Sequence, residues 1–256
     1  MDPATLIGIV LAVVSLLTLM VLEGSSPMAI VLIPPLILVF GGTFGAAIAG
    51  STMADVKKIG AWFKMALMPP ALPPATERIQ TLVSLAEKAR KEGLLALEAE
   101  VRAIDDPFLK RGLQMGIDGT DPEDLRGILE GEISAKKAED KVAVKFFNAM
   151  GGYAPTVGII GTVVGLIHVL ENLGNPESLG PLIAGAFVAT LWGVLTANFF
   201  WLPMGAKISR TSDLQAAQME LLVEGIAEIQ AGTSPRTVRQ KLSSLVPPSE
   251  QQREAA

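Results

Sequence analysis

The segment FNAMGGYAPTVGIIGTVVGLIHVL, residues 147–170, decides the fold, because it runs its whole length without Asp, Glu, Lys or Arg. A helix rising about 1.5 Å per residue needs roughly 20 residues to cross a hydrocarbon core of about 30 Å. In hydrocarbon, backbone N–H and C=O groups must be paired within the segment, so the stretch is read as a membrane-crossing helix. Working outward, 6–22, 28–49 and 181–202 are equally free of charge. The first pair is joined by the tight turn EGSSP at 23–27, and the second by the loop ENLGNPESLG at 171–180. Four spans are therefore expected.

Lys and Arg supply the orientation. Neither short connection holds one, and every basic residue falls between Ala49 and Phe147 or after Leu202. The positive-inside bias then places 51–146, 204–256 and both termini in the cytoplasm, with the short turns outside. A soluble protein with four buried core helices would not sort its basic residues in this way. The start, MDPAT, lacks a basic region, so the first apolar block is read as a permanent span rather than a signal peptide. The expected organisation is a membrane hairpin over 1–50, a cytoplasmic helical region over 51–146, a second hairpin over 147–203 and a helical tail over 204–256.

Composition narrows the chemistry. Half of the 256 residues are hydrophobic, there is no cysteine, and His168 is the single histidine. Disulfides, thiolate metal sites and multi-histidine sites are thereby excluded. Acids outnumber bases, 26 to 21, which argues against nucleic-acid binding. No nucleophile–base pair or phosphate-cradling loop is present, so no enzyme activity, metal or cofactor is expected. The glycines of 41–45 are read as helix packing within the second span.

The cytoplasmic segments read as helices, and no strand-like alternation is seen, so the fold class is all-α. An amphipathic helix is expected over 55–67, with Trp62, Phe63 and Met65 near the membrane surface. A helix over 75–101 carries a break at Gly93, and a shorter one covers 107–115. The run TDPED at 120–124 is a helix start, with cap, early proline and first-turn acids, and that helix is expected to continue into the third span. Pro34-Pro35 is expected to interrupt the second span, Pro155 to sit early in the third and Pro203 to end the fourth. The fourth span continues as a helix over 206–231, Ser234-Pro235 opens a final short helix, and 247–256 reads as disordered. The acidic segment 118–124 is assigned no role beyond its turn.

An absence carries most of the functional reading. A proton or cation path through a bilayer is normally marked by an ionisable residue, and none of the spans contains Asp, Glu, Lys or Arg. Either this chain moves no ion, or another chain lends the carboxylate. The third and fourth spans carry small residues at intervals of four, Gly161 and Gly165, then Gly185, Ala189, Gly193 and Ala197, which let helix backbones approach closely. Thr162 and Thr190 fall near mid-membrane. Each hydroxyl either bonds back to its own helix or lines a path for a partly dehydrated cation. His168 is read as an interfacial residue rather than a relay.

The stretches ARKEGLLALE at 89–98, APTVGIIGTVVGLI at 154–167 and AFVATLWG at 186–193, with the ending at Pro203, resemble the flagellar stator family of MotA and its sodium-driven relative PomA. This family lies within the MotA/TolQ/ExbB proton channel superfamily. The resemblance covers nearly the whole chain, and the four-span layout separates it from the usually three-span TolQ and ExbB energisers. It implies an ion-conducting, torque-generating subunit of the bacterial inner membrane. It also implies a pentamer around two copies of a single-span partner of MotB or PomB type, whose membrane aspartate is the missing carboxylate. Arg90 and Glu98 match the charges that contact the rotor protein FliG, with Lys91 beside them. Pro155 and Pro203 match the prolines tied to channel function. Thr162 falls where sodium-driven members carry threonine, so the transported cation is expected to be sodium or, failing that, the proton.

Overall fold

The computed structural model describes residues 2–247, and no strand occurs among them. Contacts divide the chain into two compact units. One comprises the chain up to Pro70 with Asp140–Arg210, the other Ala71–Glu139 with the chain from Thr211 on.

In the first unit, α1 covers Pro3–Leu22 and is capped by Asp2, whose carboxylate accepts from the Ala4 N–H at 3.2 Å. A 3₁₀ turn, Pro27–Ile30, follows, and α2 covers Ile33–Ala49. Here the structure differs from expectation: Pro34-Pro35 does not interrupt a helix but lies in the first turn of one. First-turn N–H groups have no partner within the helix, so proline costs nothing there. The 17 residues of α2 are correspondingly short for a span, whereas α1 and the helices starting at Pro122 and Pro176 have the length and apolarity to cross.

The expected helix over 55–67 is split into α3, Met53–Val56, and α4, Ile59–Leu67. The reciprocal Thr52–Asp55 capping box starts α3. The turn between the two closes with the Lys58 N–H on the Asp55 carbonyl at 2.8 Å. The apolar face of α4 turns inward. The Trp62 ring lies tilted against Phe146 at 5.4 Å, and Phe63 meets Phe147 edge-to-face at 5.1 Å, as Phe44 meets Trp201 at 5.5 Å.

The second unit begins with α5, Ala75–Glu92, which ends at Gly93 with φ 86°, a left-handed conformation that glycine adopts without steric cost. The 3₁₀ turn Leu94–Leu97 and α6, Glu98–Ala103, complete the expected break. Asp106 caps α7, Pro107–Ile117, by accepting from the N–H groups of Phe108 and Leu109. Asp121 accepts from the Glu123 N–H at 2.9 Å and opens α8, Pro122–Glu171, a helix of 50 residues that continues through Pro155. Then come α9, Pro176–Thr196, a π-helical segment Ala197–Trp201, α10, Leu202–Gln230, and α11, Pro235–Ser244, capped by Ser234. Pro203 does not end the fourth helix. Its ring crowds the carbonyl four residues back and it donates no bond. The helix absorbs this by widening, with the Leu202 N–H on the Ala197 carbonyl five residues earlier. The expectation for 247–256 falls, beyond Pro247, outside the described residues.

The core of the second unit is aliphatic: Leu82, Leu97, Leu125, Leu129, Leu222, Ile226 and Leu242 are all sealed from solvent. Beside it Glu228, only 7% exposed, accepts from Lys241 at 2.5 Å. Burial pushes the Glu228 carboxyl upward. Hydrogen bonds from Lys241 and Thr233, and the charges of Lys241 and Arg126, outweigh it and hold the group below 4.5. The hydrogen bond to Glu228 likewise holds Lys241 above 10.5. A lowered carboxyl contributes stability above its unfolded value that is lost as pH falls through the folded one. A raised ammonium contributes below its unfolded value and loses that as pH rises through the folded one. The pair is therefore intact from about 4.5 to 10.5. Lys241→Met should lower the melting temperature at neutral pH, and the deficit should shrink only as pH falls below 4.5 and through the lowered value at which the folded Glu228 carboxyl takes up its proton. Thermal unfolding of wild type and variant across pH checks this; a deficit independent of pH would contradict it.

Candidate functional site

Helices α8 and α9 approach so closely that backbone meets backbone. A Cβ placed on Gly193 would lie 2.5 Å from the Ala154 carbonyl oxygen, and one on Gly158 would lie 2.8 Å from that of Ala189. Real Cβ atoms do not tolerate either distance, so only glycine fits this contact. Gly161 and Gly165 continue the seam, against Ala189 and Ala186. In a bilayer, lipid tails are as apolar as the helices, and such van der Waals contact is a principal force holding two spans together.

The close contact brings Thr162 and Thr190 side by side. Their hydroxyls are hydrogen-bonded to one another. The Thr162 hydroxyl lies 3.0 Å from the Ala186 carbonyl and 3.2 Å from that of Gly158, its own helix. The Thr190 hydroxyl lies 3.4 Å from the Gly158 carbonyl, across the interface. Thr162 thus bonds back to its own helix, as one of the two readings expected, and also across the interface, while Thr190 bonds across. The result is a half-buried cluster of two hydroxyl and two carbonyl oxygens. Such neutral oxygen ligands suit a hard cation. The cluster has no carboxylate and no imidazole, so it cannot itself accept and release a proton near neutral pH. Among the described residues no cluster of His, Cys, Asp and Glu could hold a metal ion.

The prolines lie toward the other end of the same seam. Pro155 leaves the Gly151 carbonyl without its helical donor, and Gly151 is packed against the Leu202 side chain, next to Pro203. Pro203 also borders a cleft between α10 and α1. His168 is exposed, with Nδ1 3.4 Å from the Glu171 carboxylate one turn on, and takes no part in the threonine cluster. Arg90 and Lys91 close α5, and Glu98 opens α6 on the far side of the Gly93 turn. All three are exposed, and Glu98 lies 3.6 Å from Arg102. They belong to the second unit, so the named residues form two separate groups.

Sequence reasoning missed Trp192. Its indole N–H donates to the Ile30 carbonyl at 2.6 Å. Ile30 ends the 3₁₀ turn ahead of α2, so its carbonyl lies outside the helical ladder and nothing local in the sequence names its donor. The indole supplies that donor and ties α9 to the entry of α2.

A family model described as the MotA/TolQ/ExbB proton channel family matches residues 100–221. Motility protein A of Bacillus subtilis (strain 168) is 36% identical over 247 residues, 96% of this chain and 92% of the relative. Motility protein A of Helicobacter pylori (strain 26695) is 34% identical over 250 residues, 98% and 97% of the two chains. Among solved structures, the flagellar MotAB stator complex from Bacillus subtilis is similar with a TM-score of 0.91, at 35% identity, covering 99% of this chain and 100% of that one. MotAB of C. jejuni gives 0.92 at 29% identity, with 97% of each chain covered.

Because the chain has no native cysteine, the seam can be read directly. Thr162→Cys combined with Thr190→Cys should form a disulfide on mild oxidation. Adding Gly193→Ala, which overpacks the contact by about 1–3 kcal/mol, should reduce the yield. Equal yields with and without the alanine would show that the helices are not held by that glycine.

Proposed function

The chain belongs to the MotA/TolQ/ExbB proton channel family, in its motility protein A branch, and from that premise we propose that it is the ion-conducting, torque-generating stator subunit of a bacterial flagellar motor. It is a multi-pass membrane protein of a channel family rather than an enzyme family. The observation that carries the reading is the α8–α9 seam: oxygen atoms gathered at mid-span, with no ionisable group among them. A conduit so lined requires a titrating acid from elsewhere, and the similar solved assemblies are MotAB complexes.

In this reading a single-span partner of MotB type supplies a membrane carboxylate, and five copies of this chain surround two copies of it. The chain crosses the bacterial inner membrane four times, α2 being the shortest crossing, with both termini in the cytoplasm. Thr162 and Thr190 line the ion path, and Pro155 and Pro203 shape the helices around it. Ion passage turns the ring, and Arg90, Glu98 and Lys91 on its cytoplasmic rim drive FliG by charge contacts. The exposure of all three supports that role. The family description names the proton, and the threonine oxygens are ligands that also suit sodium. A TolQ- or ExbB-like energiser would share the channel but drive an envelope linker; the motility relatives favour the motor.

Co-expressed with its partner, the chain should restore swimming to a stator-null host, and an energiser should not. Swimming speed that rises with sodium at fixed pH, and loses that dependence in Thr162→Ala, identifies the cation as sodium; a flat response identifies the proton. Arg90→Glu with Glu98→Lys should lower torque while membrane assembly stays intact. Full motility of that double variant with an unaltered rotor would remove these residues from the contact.

A further inference from the structure

A cleft of about 350 Å³ lies between α1 and α10 in the first unit. Its α1 wall combines the small residues Ala4, Gly8 and Ala12 with Thr5 and Ile9, and its α10 side includes Pro203, Met204 and Lys207. From Ala4 to Ala12 the cleft extends about 12 Å along α1, at 1.5 Å per residue. At its mouth stand opposite charges: Lys207 is ion-paired with Asp2, and the two side chains remain 28% and 23% exposed. The Asp2 N–H also donates to the Leu67 carbonyl at 3.3 Å, so α4 closes the same mouth.

Three features define what fits. The cleft walls are apolar over most of their length, in a segment that the proposed function places in hydrocarbon. The space is narrow: a helix about 10 Å across would need more than twice this volume over the same length, so a slender chain fits where another span does not. The mouth offers one cation and one anion together. A lysine alone would attract any anionic headgroup, but Asp2 beside it repels one and offers an acceptor to an ammonium group.

We propose that this cleft is a binding site for phosphatidylethanolamine. One acyl chain lies along Ala4, Gly8 and Ala12, the phosphate takes hydrogen bonds from Lys207, and the headgroup ammonium donates to Asp2. The lipid thereby fills the space against Pro203 and the π-helical segment, where the α9–α10 helix is widened and its backbone bonding least regular. The inference rests on the proposed insertion of this unit in a bilayer, and not on motor function or on the identity of the cation.

The test uses the full chain with its partner, equilibrated in vesicles with equal phosphatidylethanolamine and phosphatidylglycerol, then extracted and examined by native mass spectrometry. Phosphatidylethanolamine should be retained in preference. A Cβ on Gly8 meets nothing within 4 Å, so Gly8→Leu can fill the cleft without disturbing the helices and should abolish retention while assembly is preserved. Asp2→Ala should shift the headgroup preference toward phosphatidylglycerol by about tenfold, the size of one charge-assisted hydrogen bond. This second variant reads headgroup choice without relying on cleft packing. Undiminished retention in Gly8→Leu, or equal retention of the two lipids by wild type, overturns the proposal. So does efficient photo-cross-linking from a probe on Gly8→Cys into a second copy of the chain, which would give the cleft to that copy. Failure to restore swimming would count against the motor while leaving the lipid measurement unaffected.

Discussion

The contact between Gly158 and Gly193 is the constraint from which the membrane unit follows. Water drives apolar surfaces together in soluble cores, but between two spans lipid competes on equal terms. What remains is the depth of the van der Waals contact and the few hydrogen bonds made across it. A side chain larger than hydrogen at either position would meet a backbone atom of the opposite helix at 2.5 to 2.8 Å. Removing both side chains lets the backbones touch, and only at that separation can the hydroxyls of Thr162 and Thr190 reach each other and the opposite carbonyls. The oxygen cluster is therefore a consequence of the seam, and the chemistry open to the site is set by how closely two helices lie.

The prolines pose the complementary problem, since each removes a donor where there is no water to replace it. The chain answers differently at each. Pro34-Pro35 sits in the first turn of α2, where no donor is required, and the Ile30 carbonyl just ahead of that helix takes the Trp192 indole N–H. At Pro203 the helix widens into a π segment whose Trp201 is held by Phe40 and Phe44. Pro155 is carried inside α8 beside Gly151, where Leu202 packs close. Aromatic packing and a borrowed indole thus stabilise backbone that a regular helix would have satisfied internally.

The second unit is held together by apolar burial and paired charges. Its stability comes from a sealed aliphatic core, and its charges are either paired, as Glu228 is with Lys241, or displayed, as at Arg90 and Lys91. The left-handed turn at Gly93 separates Arg90 and Lys91 from Glu98, so the local backbone sets the spacing of the exposed charges.

Charge-free runs, the sorting of Lys and Arg, the helix starts at 120–124 and at Ser234, and the glycine at 93 were legible from the sequence because each acts through local physics: hydrocarbon excludes charge, a carboxylate or hydroxyl pairs the first free N–H groups, and glycine alone takes φ 86° readily. The interval of four in the glycines also announced a close helix contact. It did not announce which residues would meet, because periodicity names a face and not its partner. That Thr162 bonds to Ala186 and Thr190, that Trp192 reaches Ile30 from 162 positions away, and that Asp2 meets Lys207 were decided by the tertiary structure alone. Likewise Pro34 and Pro203 read as an interruption and an ending, yet one opens a helix and the other is absorbed. The physical reason is the same in each case: an unpaired polar group in an apolar interior is satisfied by whatever donor the fold brings within about 3 Å, and that neighbour is a property of packing rather than of order along the chain.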